Sequence, residues 1–410
     1  MNIKDILKYE EKWCTKMGYR NPYLDPYNHH ISSSTVTGDH AAYRRFPENR
    51  HVYDKLWIAK TQHLKCGRLE ELKGKEDNIK YPIFIKPRWG HLSAASKNCY
   101  KIVSYSELSK YLDYPDMMWS EFINGTEGMT DFLLLNGRIV WQITYVYSDE
   151  QNGFTDVYKF ISPDTQPFPS IEQWTRDHIN GHTGFVNIQY RKDKIIEVGL
   201  RPARGGMYLI GADCPALSKN IYNVIDRHFW DETLEPAITF KPFYVYKCYT
   251  KVPILYIWPQ KIIDILIPSL TDMPLYEYYF EPVNNEGLVF FQFMHRDFNK
   301  GLRAKRIIEL LFVTTQFLFL LTFLFIIYTL ITCKGYYSLS LLFLFIGIWL
   351  TRFLNPMYVN YNNYKAYMQR FIGKESLTSQ KEFDMETSDK LKEKEKETNK
   401  LKTQNYTALL

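Results

Sequence analysis

Gly184-Phe185-Val186-Asn187-Ile188-Gln189-Tyr190, then Arg191 to Lys194, then Ile195-Ile196-Glu197-Val198-Gly199-Leu200-Arg201-Pro202-Ala203-Arg204-Gly205-Gly206, is the stretch on which the fold turns. It reads as two short strands joined by a turn. Side chains alternate across a strand, so Ile195, Glu197, Gly199 and Arg201 share one face. A three-residue loop of Lys192, Asp193 and Lys194 sets Gln189 directly opposite Glu197. A two-residue loop sets them on opposite faces, because one step of register flips a side chain. The first register gives an acceptor pair with a guanidinium further along the same face, an arrangement suited to a metal-bound triphosphate. The second gives an ordinary amphipathic hairpin with a solvated polar face. The stretch alone leaves both open.

Outward from this hairpin, 410 residues are enough for one large domain or two. The formal charge of +6 is spread thinly, which fits mild attraction to anions and not a dedicated nucleic-acid binder. Cys14, Cys66, Cys99, Cys214, Cys248 and Cys333 form no CxxC pair and no zinc spacing. They read as free thiols of a reducing compartment.

The N-terminus is polar and shows no secretory signal. Leu310 to Thr332 is a nearly unbroken apolar run of a length suited to a spanning helix. A second run opens at Leu339 and ends near Asn355-Pro356. It reads as a tilted second span or a re-entrant arm. Arg296, Lys300, Arg303, Lys305 and Arg306 precede the pair, and Arg352, Lys365 and Arg370 follow it, with only Lys334 between. The excess of basic residues on both flanks predicts two transmembrane helices with both termini cytoplasmic.

Two earlier segments carry chemistry. Phe84-Ile85-Lys86-Pro87 reads as a strand that delivers a lysine beside the small-residue loop Gly90 to Ser96. Such a lysine and such a loop are suited to phosphate oxygens. The Gly-Lys-Ser order of a Walker A loop is absent. Without further context the segment also fits a plain hairpin with a surface lysine. Downstream, Ser120-Glu121-Phe122-Ile123 leads through Asn124-Gly125-Thr126 to Glu127, and Asn136-Gly137 marks a tight hairpin.

In this order and spacing the three segments resemble the ATP-grasp superfamily. The resemblance covers roughly residues 50 to 225. It implies an α+β, two-lobed fold gripping ATP between antiparallel sheets, and an ATP- and magnesium-dependent ligase. Such an enzyme activates a carboxylate, on a small molecule or a peptide, as an acyl phosphate for attack by an amine or similar nucleophile. By the same resemblance Lys86 holds the α- and β-phosphates and Lys55 is an earlier phosphate lysine. Gly90 and Ser93 lie in the flap. Glu121 and Phe122 are the adenine hinge, and Glu127 accepts from the ribose. Gln189 and Glu197 hold magnesium, and Arg201 meets the γ-phosphate. Arg176, His178, His182 and Arg204 lie in the sequence where an anionic substrate is met, with Arg201 and Arg204 as the candidate catalytic pair.

Two departures stand out. The pattern after the glutamate is Glu-x-Asn with the asparagine as a further metal ligand, and here that position is Gly199. The large N-terminal domain of the superfamily is reduced to about 50 residues. The expected organisation is a reduced segment at 1–50, a nucleotide-binding core at 51–235, an aromatic-rich accessory region at 236–305, a membrane hairpin at 310–354 and a charged tail at 374–410. Membrane lipid is the expected partner besides the substrate. The alternative is a catalytically inactive nucleotide-binding module with a membrane-associated structural role, which Gly199 favours.

Overall fold

The computed structural model describes residues 31–32, 34–75, 79–92, 98–148, 157–252, 254–258, 260–273, 275–283, 287–333 and 336–349. Ser93 and most of the flap, the pair His29 and His30, and the charged tail lie outside these residues.

Two antiparallel sheets build two lobes, as the resemblance implies. The smaller sheet comprises β1 (Cys66–Arg68), β2 (Ile83–Pro87), β3 (Tyr100–Ile102) and β4 (Met117–Glu121), in the order β1-β4-β2-β3. Alternation in β2 sends Ile83 and Ile85 into a core with Leu69, Leu72, Ile102, Leu108 and Met117. Phe84 and Lys86 therefore take the opposite face.

The larger sheet has eight strands: β5 (Glu127–Leu135), β6 (Arg138–Tyr147), β7 (Tyr158–Ser162), β8 (Gly184–Arg191), β9 (Lys194–Gly199), β10 (Phe243–Thr250), β11 (Tyr276–Val283) and β12 (Gly287–His295). Their order is β11-β12-β10-β7-β6-β5-β8-β9. The aromatic-rich stretch after residue 236 thus contributes three strands that continue this sheet through the pairing of β10 with β7. The β5–β6 turn is the one its sequence predicts. Asn136 (φ 51°) and Gly137 (φ 81°) are both left-handed between the paired Leu135 and Arg138, the geometry of a two-residue primed turn.

The helices are α1 (Asp39–Arg45), α2 (Lys55–Thr61), α3 (Tyr105–Leu108), α4 (Pro169–His178), α5 (Met207–Gly211), α6 (Pro215–Arg227), α7 (Gln260–Leu270), α8 (Phe298–Cys333) and α9 (Tyr336–Trp349). Helix α2 starts where it does because the Asp54 carboxylate accepts from the backbone N–H groups of Leu56 (3.0 Å) and Trp57 (3.3 Å).

Helix α8 has 36 residues, about 54 Å at 1.5 Å per residue, against a bilayer core of about 30 Å. The surplus is docked on the large sheet. Ala304, Ile308 and Phe312 are buried, and Phe312 stacks on Phe290 at 3.9 Å between ring centroids. The Gln316 amide oxygen accepts from the N–H groups of Leu255 (2.7 Å) and Tyr256 (2.8 Å). Beyond Gln316 the helix exposes Phe317, Leu318, Leu321, Leu324, Phe325, Tyr328 and Ile331. Only 17% of its most apolar stretch is buried, unlike a core helix of a soluble domain.

Helix α9 folds back on it, with Phe345 against Phe319 (4.4 Å) and Phe323 (5.5 Å). Its 14 residues span about 21 Å. Among the described residues one helix is long and apolar enough to cross a membrane. Of the two expected spans, the first is this candidate; the end of the second run, from 350 to Asn355-Pro356, lies outside the described residues. Cys66, Cys99, Cys214 and Cys248 are free thiols.

Candidate nucleotide cleft

The decisive hairpin resolves the loop question in an unforeseen way. Arg191 pairs with Lys194 and Tyr190 with Ile195, so the loop is the two residues Lys192 and Asp193, yet Gln189 pairs with Glu197. A β-bulge at Ile196 supplies the missing step. Both loop lengths considered from the sequence assumed a regular ladder, and the bulge is what they lacked.

Strand β9 is the edge of the large sheet, where backbone groups need partners. The smaller lobe and α2 provide them. Gln62 on the C-terminal side of α2 donates to the Ile195 carbonyl (2.9 Å) and accepts from the Ile195 N–H (2.7 Å). Lys86 donates to the carbonyl of Ile196, the bulged residue, at 2.7 Å. Burial, with the Lys55 ammonium next, pushes the Lys86 amine down to about 8 against the pull of Glu197, Cys99 and Glu127.

Lys55 reaches the same place from α2. Its N–H bonds the Arg88 carbonyl (2.9 Å), and Arg88 pairs with Asp54 through two nitrogens, which ties the start of α2 to the end of β2. The Lys55 ammonium then lies 3.2 Å from the Glu197 carboxylate. Gly90 stands over this pair. A Cβ there would touch the Glu197 oxygen, the Lys55 side chain and the Tyr53 ring, each at 3.5 Å.

Gln189 donates its amide to Glu127, leaving its carbonyl oxygen for other use. Arg191 donates to the second Glu127 oxygen at 2.9 and 3.1 Å. The carboxylate expected at a ribose is thus engaged on both oxygens within the cleft floor. Glu121 accepts from the Lys65 N–H and donates its own N–H to the Lys65 carbonyl, both at 2.8 Å. The Phe122 N–H bonds Pro82 (3.3 Å), and its ring has the Lys101 ammonium 4.3 Å from its centroid. The hinge N–H groups are therefore spent on the chain itself.

Arg201 extends from the end of β9. It donates to Asp39 at 2.9 and 3.1 Å and to Asn187 at 3.2 Å. Asn187 in turn donates to the buried Asp131 (2.7 Å), which also accepts from the Tyr145 hydroxyl (2.6 Å) and the Ala203 N–H (2.9 Å). Arg204 departs from the expected pairing with Arg201. Its backbone is left-handed (φ 48°) and its guanidinium meets Glu277 of β11 at 2.8 Å. Arg176 pairs with Glu172, His178 stacks on Trp174, and His182 is buried with its ring facing the Phe185 carbonyl.

Lys55, Lys86, Gly90, Glu127, Gln189 and Glu197 are therefore gathered where the small sheet and α2 meet the β8–β9 hairpin of the large sheet. Asp39, Tyr53, Asn187 and Asp131 belong to the same polar network and were not among the candidates. Asn187 was legible, since alternation puts it on the Gln189 face; Asp39 carried no signal.

Among the described residues, no three His, Cys, Asp or Glu side chains converge as a self-sufficient cation site. The donor set instead suits magnesium in its usual manner, with one or two protein oxygens and the remainder from phosphates and water. Glu197 and the Gln189 carbonyl would be those oxygens.

No family model and no curated protein matches the chain. Solved structures similar to it include the L-amino acid ligase from Bacillus licheniformis, at 14% identity over 62% of this chain and 70% of that one, with a TM-score of 0.42. Another is N5-carboxyaminoimidazole synthetase from Staphylococcus aureus complexed with ADP, at 14% identity over 63% and 71%, TM-score 0.44. A third is the biotin carboxylase domain of the Hydrogenobacter thermophilus 2-oxoglutarate carboxylase, at 11% identity over 63% and 67%, TM-score 0.41. At these identities and scores the similarity is one of outline, and function has to be read from the cleft itself.

Proposed function

We infer that the cleft binds ATP with magnesium, and that the protein is a membrane-bound ligase activating a carboxylate as an acyl phosphate for attack by an amine or similar nucleophile. The observation that carries this reading is the meeting of Lys86 from the small sheet, Lys55 from α2 and Glu197 from the edge of the large sheet beneath Gly90. Two buried ammonium groups converge from separate elements on the one carboxylate of Glu197, a surplus of positive charge that a phosphate would offset. Phosphoryl transfer asks for this kind of neutralisation and alignment. Bound magnesium would supply further charge neutralisation on the phosphates. Lys86 and Lys55 would bind and orient phosphate oxygens, Gly90 would let backbone approach them, and Arg201 would hold the transferred group or the acyl phosphate.

The docked base of α8 holds the domain against the membrane instead of leaving it on a flexible tether. A substrate at or in the bilayer surface fits that placement. The positive flanks put both termini in the cytoplasm, with α9 as a second, tilted crossing or a re-entrant arm.

A second reading, nucleotide binding without turnover, draws on the same cleft. Gly199 offers no side-chain oxygen, and Glu127 and Arg201 already have partners within the chain.

The test is calorimetric titration of the full-length protein in detergent with a non-hydrolysable ATP analogue, with and without magnesium. Binding is expected to tighten with magnesium, and Glu197→Gln to remove about tenfold or more of that gain. ADP release on addition of carboxylates with amines would separate the ligase from the binding module. A folded protein that binds no nucleotide overturns both readings.

A further inference from the structure

The cleft lacks a side chain at Gly199, and the chain has put another one there. A Cβ built on Gly199 would lie 2.7 Å from the Oδ1 oxygen of Asp39, close to the separation between a carboxamide oxygen and its own Cβ. Asp39 comes from α1, more than 150 residues away in sequence and outside the three segments that carry the superfamily resemblance. Its other oxygen, Oδ2, takes both hydrogen bonds from Arg201. Among the described residues Oδ1 accepts one longer bond, from the Tyr53 hydroxyl (3.2 Å), and Tyr53 is itself fixed by accepting from the Leu200 N–H (2.9 Å). A carboxylate offers about four acceptor positions, so Oδ1 keeps capacity on the side facing Gly199. Gly199 lies two residues beyond Glu197 on the same strand, with Asn187 and Gln189 paired opposite them.

We propose that Asp39 is the third protein oxygen of the magnesium site, taking the part that a residue-199 side chain would otherwise play, with Arg201 and Tyr53 as the residues that hold its carboxylate in place. The proposal rests on the nucleotide reading above. It accounts for the glycine: a Cβ at 199 requires the Asp39 carboxylate to move from its place beside Arg201. It also gives the segment before the lobes a chemical role, because α1 completes the site. A carboxylate in place of a carboxamide adds a negative charge beside the cation, and the neighbouring Arg201 balances it.

The experiment measures binding of the imido analogue of ATP to the full-length protein at increasing magnesium, for the native chain, Asp39→Ala, Gly199→Asn and Asp39→Ala/Gly199→Asn. Asp39→Ala is expected to raise the magnesium half-saturation about tenfold or more, with magnesium-free analogue affinity changed less than about threefold. Gly199→Asn alone is expected to weaken the magnesium response, since its Cβ displaces Asp39. The double variant is expected to return most of it, because the asparagine then has room and brings its own oxygen. Should Asp39→Ala fail to fold, Asp39→Asn, which keeps the acceptor and drops the charge, is read by the same half-saturation. Equal weakening with and without magnesium assigns Asp39 to positioning Arg201 alone and overturns the proposal. So does a double variant no better than Asp39→Ala. A native chain that binds the analogue without any magnesium response overturns the metal assignment while leaving nucleotide binding intact; a native chain that binds no analogue overturns the nucleotide reading itself.

Discussion

Lys86→Met is expected to lower nucleotide affinity by about 10- to 100-fold while leaving the unliganded protein as stable as before or more so. The affinity loss follows from one or two charge-assisted hydrogen bonds to phosphate, each worth about 1.5–3 kcal/mol. The stability effect follows from what the lysine does without ligand. It is 9% exposed, and its amine is pushed down from 10.5 to about 8, by burial first and then by Lys55. A folded-state value below the unfolded one means that the folded protein binds fewer protons between those two values. Stability therefore rises with pH across roughly pH 8 to 10.5, and at neutral pH the charged amine costs on the order of 3 kcal/mol. Methionine removes that cost and also removes the bond to Ile196, whose carbonyl is worth about 1–3 kcal/mol if left unsatisfied. The two roughly cancel. Chemical denaturation of both proteins between pH 7 and 10.5 gives the check. The stability difference should shift toward the native chain as pH rises. A variant that loses several kcal/mol at pH 7 would make Lys86 a structural residue instead.

The second large effect is on stability. Asp131→Ala is expected to cost about 3–5 kcal/mol. It leaves the Tyr145 hydroxyl, the Asn187 amide and the Ala203 N–H facing a void. Binding should suffer as well, since Ala203 opens the turn after Arg201 and Asn187 accepts from Arg201. The native carboxyl is pushed up to about 6 because burial outweighs the donors from Tyr145, Ala203 and Asn187 and the charge of Arg201. The folded value exceeds the unfolded one of 3.8, so the folded state binds more protons between about pH 4 and 6. Its contribution to stability is complete below pH 4 and declines as pH rises through 6, by on the order of 3 kcal/mol. Urea unfolding at pH 4, 5, 6 and 7 should show this slope as a difference between native protein and variant. Parallel profiles would place the titration elsewhere.

The sequence by itself determined whatever depends on neighbours along the chain. Alternation placed Asn187 with Gln189 on one face of the first strand and Glu197 with Gly199 and Arg201 on one face of the second, Asn136-Gly137 dictated a two-residue turn, and the unbroken run from Leu310 announced a helix fit for a bilayer. These follow from strand period, backbone sterics and helix rise, which need no tertiary contact. The tertiary structure decided the rest. The bulge at Ile196 answers to an edge strand whose carbonyls are met by Gln62 and Lys86 from other elements. The aromatic strands after residue 236 extend the large sheet because β7 had a free edge to pair with β10. Asp39 reaches Gly199 only because α1 packs over the end of β9. No periodicity encodes a contact between residues so far apart, since a side chain at one position takes its role there from the space another leaves empty.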